Sequence, residues 1–223
     1  IILLIVFNLL ILLYIILKLI YEVGNFTITL DTSYGLQRNL FMYESLENKI
    51  CLDTLTADNI EFMTNISGDW IPQNINDEAD GGHNGQNYIA YTFYLENMGK
   101  EVINYWYRIN ITDTIREADE AVRLKVIKNG EEKVFAKANK NTGEAEIDTI
   151  KFFSDDTVAL EEAKDFRPGD IDKYTVVIWI EGDDPDCIDS IIGGETKLSM
   201  VFTEEHIQQE NDNTEEPPQS EYY

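Results

Sequence analysis

Basic residues are scarce in this 223-residue chain: Lys and Arg total 17 against 42 Asp and Glu, for a formal net charge of −25. The basic surface that displaces counterions from nucleic acid is missing, which excludes a nucleic-acid partner. Flat docking on anionic lipid is excluded on the same ground. Cysteine and histidine are scarcer, with two of each. Cys51, Cys187, His83 and His206 have no metal-ligand spacing, so no zinc site is expected. Neither His stands beside a Ser or Cys in a nucleophile motif. The run Gly81-Gly82-His83-Asn84-Gly85 lacks the Lys and the following apolar helix of a phosphate cradle. One Asp31-Thr32-Ser33 turn cannot supply a proton-sharing carboxylate pair alone. No catalytic constellation and no cofactor are expected.

What the chain does have begins at its first residue. In Ile1–Ile20 every residue but Asn8 and Lys18 is apolar. A helix of that length measures about 30 Å, the thickness of a bilayer core. The run is longer than a signal-peptide core, and LIYEVGNFT offers no A-x-A cleavage site, so a retained anchor is expected. The expected membrane anchor comprises Ile1, Asn8, Tyr14, Lys18 and Tyr21, the last three at the interface. The expected organisation is a transmembrane helix over 1–22, an extracellular β-sandwich over 23–203 and an acidic disordered tail over 204–223. The expected location is the cell membrane, single-pass, with the domain at the cell surface.

Past Gly24 the period changes to two, and twelve Tyr and ten Phe supply a core that an acidic polyelectrolyte would lack. Phe26, Ile28 and Leu30 share one face of a strand, a candidate donor or edge strand. Residues 37–60 read as a strand and a short helix, and 67–86 as a long Asn/Gly-rich loop, functional or mobile. YIAYTFYLEN, VINYWYRINIT, AVRLKVIK, EEKVFAK, DKYTVVIWIEG and TKLSMVFT alternate as strands. Asn129-Gly130 is a two-residue hairpin turn, and Arg167–Asp170 a Pro-Gly turn. IREADEA reads as one helical turn, the region near Ile150 as a strand, and that near Ala159 as a short helix. The fold class is all-β, an antiparallel jelly roll or sandwich.

Three clusters are candidates for binding. Asn76, Glu78 and Asp80 alternate before Gly81, and Asp183, Asp184 and Asp186 surround Pro185; both are weak calcium-ligand patterns. Tyr88, Tyr94, Tyr105, Trp106 and Tyr107 form a candidate contact face, set against a plain sandwich core. Cys51 and Cys187 are a possible long-range disulfide in an oxidising exterior.

FYLENMGKEVINYWYRINI, FRPGDIDKYTVVIWIEGDDPD and GGETKLSMVF resemble the TasA/camelysin type of exported bacterial proteins over roughly Tyr88–Thr203. The shared features are a strand ending in Asn-x-Gly, a Pro-Gly-Asp turn before the next strand, and a late K-L-x-x-x-F strand. The chain also resembles membrane-anchored surface proteins of Gram-positive bacteria. The resemblance implies a jelly roll and assembly into matrix fibres by donation of an N-terminal strand. No metal-ligand motif carries over the metalloprotease activity described for camelysin. The expected function is a membrane-anchored structural subunit of a filament, matrix or surface layer that associates with copies of itself. The alternative is an extracellular binding module for peptide or glycan, calcium-dependent in one version. A pilin-like subunit with its helix in a filament core is the minor alternative, although Ile5 stands where pilins usually carry Glu.

Overall fold

The computed structural model describes residues 6–14, 26–31, 38–60 and 62–205. One helix, α1, covers 6–14. Twelve strands follow: β1 (Phe26–Leu30), β2 (Leu40–Tyr43), β3 (Thr54–Thr56), β4 (Gly81–Gly82), β5 (Tyr88–Asn97), β6 (Ile103–Ile115), β7 (Val122–Lys128), β8 (Glu131–Ala136), β9 (Ile150–Lys151), β10 (Thr157–Phe166), β11 (Ile171–Ile180) and β12 (Glu195–Glu205). They form two sheets. The first runs β10-β6-β12-β1-β3; the second runs β2-β5-β11-β7-β8-β9, with β4 also on β5. The all-β sandwich expected from the alternation is what the chain forms.

Period-two patterning places the core. Phe26, Ile28 and Leu30 face Ile89, Tyr91, Phe93 and Leu95 across the sandwich, joined by Ile103, Tyr105, Tyr107 and Ile109, and by Leu198, Met200 and Phe202. Aromatic rings fill its middle. Phe93 stacks on Tyr174 at 5.5 Å between centroids, and Phe202 meets Tyr174 edge-on at 5.3 Å. One end is closed by a buried polar group: Tyr105 donates to Asp172 and lies 2.8 Å from the Tyr174 hydroxyl. Asn129 Nδ2 donates to the same carboxylate at 2.6 Å, and Lys128 Nζ pairs with it at 3.0 Å. Burial pushes both tyrosine hydroxyls well up, so they act only as neutral hydrogen-bonding groups.

The second sheet is apolar on both faces. Tyr174, Val176 and Ile178 of β11 point into the sandwich, while Val177 and Trp179 join Ala90 and Ile127 beneath Ile66, Ile71 and Ile75. The Asn/Gly-rich segment is therefore a cover, folded as two short 3-10 turns at Gly68–Trp70 and Ile75–Asp77. Its polar atoms are matched to the sheet: the buried Thr92 and Thr175 hydroxyls meet at 2.7 Å, and Thr175 donates to Asn76 Oδ1 at 3.0 Å.

The turns behave as their residues require. Asn129 and Gly130 take φ of 51° and 87°, the left-handed pair that a tight hairpin needs. Asn97, fully buried, braces two turns at once. Its side chain donates to Glu101 O at 2.9 Å and Phe166 O at 2.8 Å and accepts from Gly99 N at 2.9 Å; its carbonyl accepts from Gly169 N at 2.7 Å. The Asn-x-Gly and Pro-Gly-Asp signatures are thus the two sides of one structural contact.

Several expectations need correction. The described helix has nine residues, about 13 Å, and among the described residues none is long and apolar enough to cross a membrane. The transmembrane segment and the single-pass membrane location read from the sequence are set aside on that finding. Asn8 and Tyr14 lie in α1; Ile1, Lys18 and Tyr21 lie outside the described residues. The helix expected near Ala159 is strand β10, which pairs with β6 from Thr157 to Phe166. The Ala/Glu/Lys content of VALEEAKD favours helix locally, and sheet pairing overrides it. The helix expected within 37–60 is replaced by β2 and β3 among the described residues. Glu204 and Glu205, assigned to the tail, end β12; the rest of the tail lies outside the described residues.

Two outcomes follow from this packing. Asn97→Ala removes three side-chain hydrogen bonds at a buried position and is expected to cost about 3 kcal/mol by denaturant unfolding; a loss below about 0.5 kcal/mol would refute the brace. The second concerns Asp119, which takes hydrogen bonds from Lys137 Nζ and from Thr114 Oγ1 at 2.7 Å. Burial pushes its carboxyl up, but these bonds outweigh burial and hold it below the usual range. A lowered carboxyl stabilises the fold above its unfolded pKa, and that gain is lost as pH falls through the folded value. Lys137→Met should therefore melt lower than wild type at pH 7, with the gap closing in acid. Parallel melting curves at all pH values would count against it.

Candidate functional site

The outer face of the second sheet carries a cavity of about 500 Å³. β7 contributes Arg123 and Lys125, β11 contributes Trp179, and Glu181 follows directly. Because Arg123 and Trp179 are cross-strand neighbours, the indole and guanidinium share one wall. Glu181 Oε2 ties that wall to the covering segment, accepting from Trp179 Nε1 at 2.9 Å and from Gly68 N at 3.0 Å. A Cβ at Gly68 would stand 3.1 Å from Trp179 Cζ2, so a larger residue there would press the indole by a few tenths of an ångström.

Beside the cavity two loops meet. One follows β11, with Asp183, Asp184 and Asp186 around Pro185; the other joins β8 to β9 and carries Glu146. Lys140 N of the second loop donates to Asp186 Oδ2 at 2.9 Å, and Asp186 N donates to Asp184 Oδ1 at 2.7 Å. Carboxylate oxygens of Glu146, Asp184 and Asp186 lie within 4.8 Å of one another. Arg123 Nη1 reaches Asp184 Oδ2 at 2.6 Å, with the two side chains 6% and 1% exposed. The contact is an ion pair without hydrogen-bond angles, since both atoms lack a directed partner. Glu146 Oε1 is also shielded from solvent and accepts no hydrogen bond. Glu146 lines the cavity as well, so the carboxylate group opens onto it.

Of the residues singled out by sequence, Asp184 and Asp186 are brought together here, while Asp183 is exposed on the cavity rim. Among the described residues Glu78 and Asp80 belong to no such group of three. Asn76 is engaged by Thr175 and Lys173, and Asp80 accepts from the Tyr94 hydroxyl at 2.6 Å. The aromatic contact face is divided. Tyr105 and Tyr107 are core residues, Trp106 points from the opposite face of β6 and donates to Glu205 at 2.9 Å, and Tyr88 and Tyr94 lie on the outer side of β5. Phe26, Ile28 and Leu30 are buried in a strand bonded on both sides, so β1 is not an edge. Both thiols are free and the Cys51–Cys187 disulfide is not formed. Cys51 bridges to Tyr43, whereas Cys187 lies 3.5 Å from Asn65 Nδ2, where burial pushes the thiol up.

Glu146 and Arg123 were missed by sequence reasoning. Arg123 reads as one more solvated charge in an alternating strand, although a lone Arg beside a strand as apolar as β11 marks a position that needs an acidic partner. Glu146 carries no local signal, because only the tertiary fold brings its loop to the DDPD turn.

No protein-family profile matches the chain, and no curated protein matches it. Among solved structures, a β-glucosidase from Kluyveromyces marxianus in complex with glucose is similar at 12% identity, covering 73% of this chain, with a TM-score of 0.24. The chain spans 15% of that enzyme's length.

Proposed function

We propose that the chain is a non-catalytic structural subunit that associates with copies of itself. The observation that carries this reading is α1. Its apolar side chains are 41–66% exposed on every face, from Val6 to Tyr14, with no charged residue among them. A helix apolar all round needs apolar cover all round, and identical helices packed side by side supply it. Asn8 is compatible with such a bundle, where an amide bonds across helices. The net charge of −25 keeps the sandwich surfaces from coalescing and leaves the helix as the adhesive element.

The resemblance to TasA/camelysin-type proteins supports the same reading. β1 is five residues long, pairs in parallel with β12 and is covered on its other side by the three-residue β3. A neighbouring copy that donated this strand would have to replace both of these ladders. The cavity at Trp179 favours a second reading, a binding module, which predicts a saturable partner in pull-down that is lost with Lys125→Glu.

Light scattering and electron microscopy of the purified full chain test the first reading. An assembly of several copies or a filament is expected, reduced to monomers by Leu9→Glu with Leu13→Glu, two side chains outside the sandwich core. A monomeric wild type, or an assembly that survives both substitutions, would refute it.

A further inference from the structure

We propose that the end of the sandwich where β12 begins holds a binding pocket for an uncharged, apolar small molecule. A second cavity opens there, of about 410 Å³, within the range of roughly 300–1,000 Å³ that small-molecule sites occupy. It runs in between the two sheets. Ile89, Val122 and Ile178 line it from the second sheet and Leu198 from the first, each only 2–6% exposed and each a member of the main core. Thr196, on the same inward row of β12 as Leu198 and Met200, extends that wall. Phe62 and Met63 line the cavity from the segment that crosses this end, and the Phe62 ring is 86% exposed at its mouth.

Two features argue that the gap is held open by the fold. Gly193 and Gly194 form one rim, and a Cβ at Gly194 would stand 2.6 Å from Ile115 O and 2.8 Å from Ala118 Cβ. The backbone is packed too tightly there to carry a side chain that could plug the opening. Next to it, Arg116 and Glu117 take left-handed φ of 58° and 54° just before Ala118, which also lines the cavity. Consecutive non-glycine residues in that region persist only where the surroundings dictate them, and such strain gathers at ligand clamps. Arg116 Nη1 donates to Ile192 O at 2.5 Å and ties the two rim segments together.

The lining sets the class of ligand. Among the described residues around the cavity, Glu195 alone is charged, and Asn59 and Thr196 add an amide and a hydroxyl. That carboxylate, on a chain of net charge −25, disfavours an anion such as a fatty-acid carboxylate. A cation would have to shed its water against apolar walls. An uncharged chain or ring system instead gains the dispersion contacts that an empty apolar cavity forgoes, and keeps any polar end at the mouth. The pocket is independent of α1 and of the self-association reading.

The test titrates the full chain with N-phenyl-1-naphthylamine, an uncharged fluorophore that brightens in apolar surroundings. Saturable binding with Kd on the order of 10 µM is expected, displaced by 1-decanol and not by decanoate at the same concentration. Thr196→Phe fills the cavity from its wall and should weaken binding about tenfold or more without lowering the melting temperature. Phe62→Glu, at an exposed position that folding does not depend on, should weaken it about fivefold or more. Leu9→Glu with Leu13→Glu should bind as wild type does, which separates the pocket from the exposed face of α1. No saturable signal up to about 50 µM, five times the expected Kd, would overturn the site. So would undiminished binding by a folded Thr196→Phe or by Phe62→Glu, or equal displacement by decanoate. Binding that appears only after Leu9→Glu with Leu13→Glu would give the cavity to a neighbouring copy's helix and overturn it too.

Discussion

β11, in the middle of the second sheet, is buried on both faces, and much of the molecule's arrangement answers to that constraint. β11 sends Tyr174, Val176 and Ile178 inward and Val177 and Trp179 outward, and both rows are buried. At roughly 25 cal/mol per Å² of apolar surface, an uncovered outer row would forfeit several kcal/mol. The segment from Ile66 to Ile75 closes over it with three isoleucines and leaves its backbone turns outside. That cover brings Gly68 against Trp179 and hands its amide to Glu181, so the rim of the cavity is a by-product of hiding the sheet. The buried Arg123–Asp184 pair belongs to the same logic: a guanidinium on an apolar face must bring its counter-ion with it.

How much of this was legible depended on whether the signal was local. β5, β6, β11 and β12, the β7–β8 hairpin and the turn at Gly169 follow from alternation and turn chemistry, which neighbouring residues carry. β10 was not legible, because Ala159, Glu161, Glu162, Ala163 and Lys164 are good helix formers and only the β6 ladder decides against them. The 67–86 segment has the composition of a loop and the role of a lid on a second core. Its two isoleucines, Ile71 and Ile75, with Ile66 just before it, show no run of alternation and were the one hint. Half of the acidic junction could be read in Asp184 and Asp186. Glu146 could not, since its loop meets theirs only after β8, β9 and β11 are in place. For α1 the apolar composition was plain, but composition alone does not say what covers a helix.

The short motifs that mark this sequence turn out to be architectural. Asn97 spends its whole side chain on the turn at Gly99 and on the carbonyl that ends β10, and its backbone on the turn at Gly169. Likewise the Tyr105–Asp172–Tyr174 group, which in an open cleft would suggest acid–base chemistry, is sealed and braced by Asn129 and Lys128. In this chain these motifs close the sandwich, and function has to be sought in the loops and in α1.

The parallel pairing of β1 with β12 gives the domain a mechanical direction. Phe26 sits opposite Leu198 and Leu30 opposite Phe202, so the chain enters the sandwich at one end of this ladder and leaves past Glu205 at the other. A pull applied between those two points runs along the strands. It loads the rungs from Phe26 to Leu30 in shear, so they must yield together, whereas a pull across the ladder would open them one at a time. A domain held by its amino-terminal side and dragged by its carboxyl-terminal side would therefore meet the load with the strongest orientation its first strand can offer.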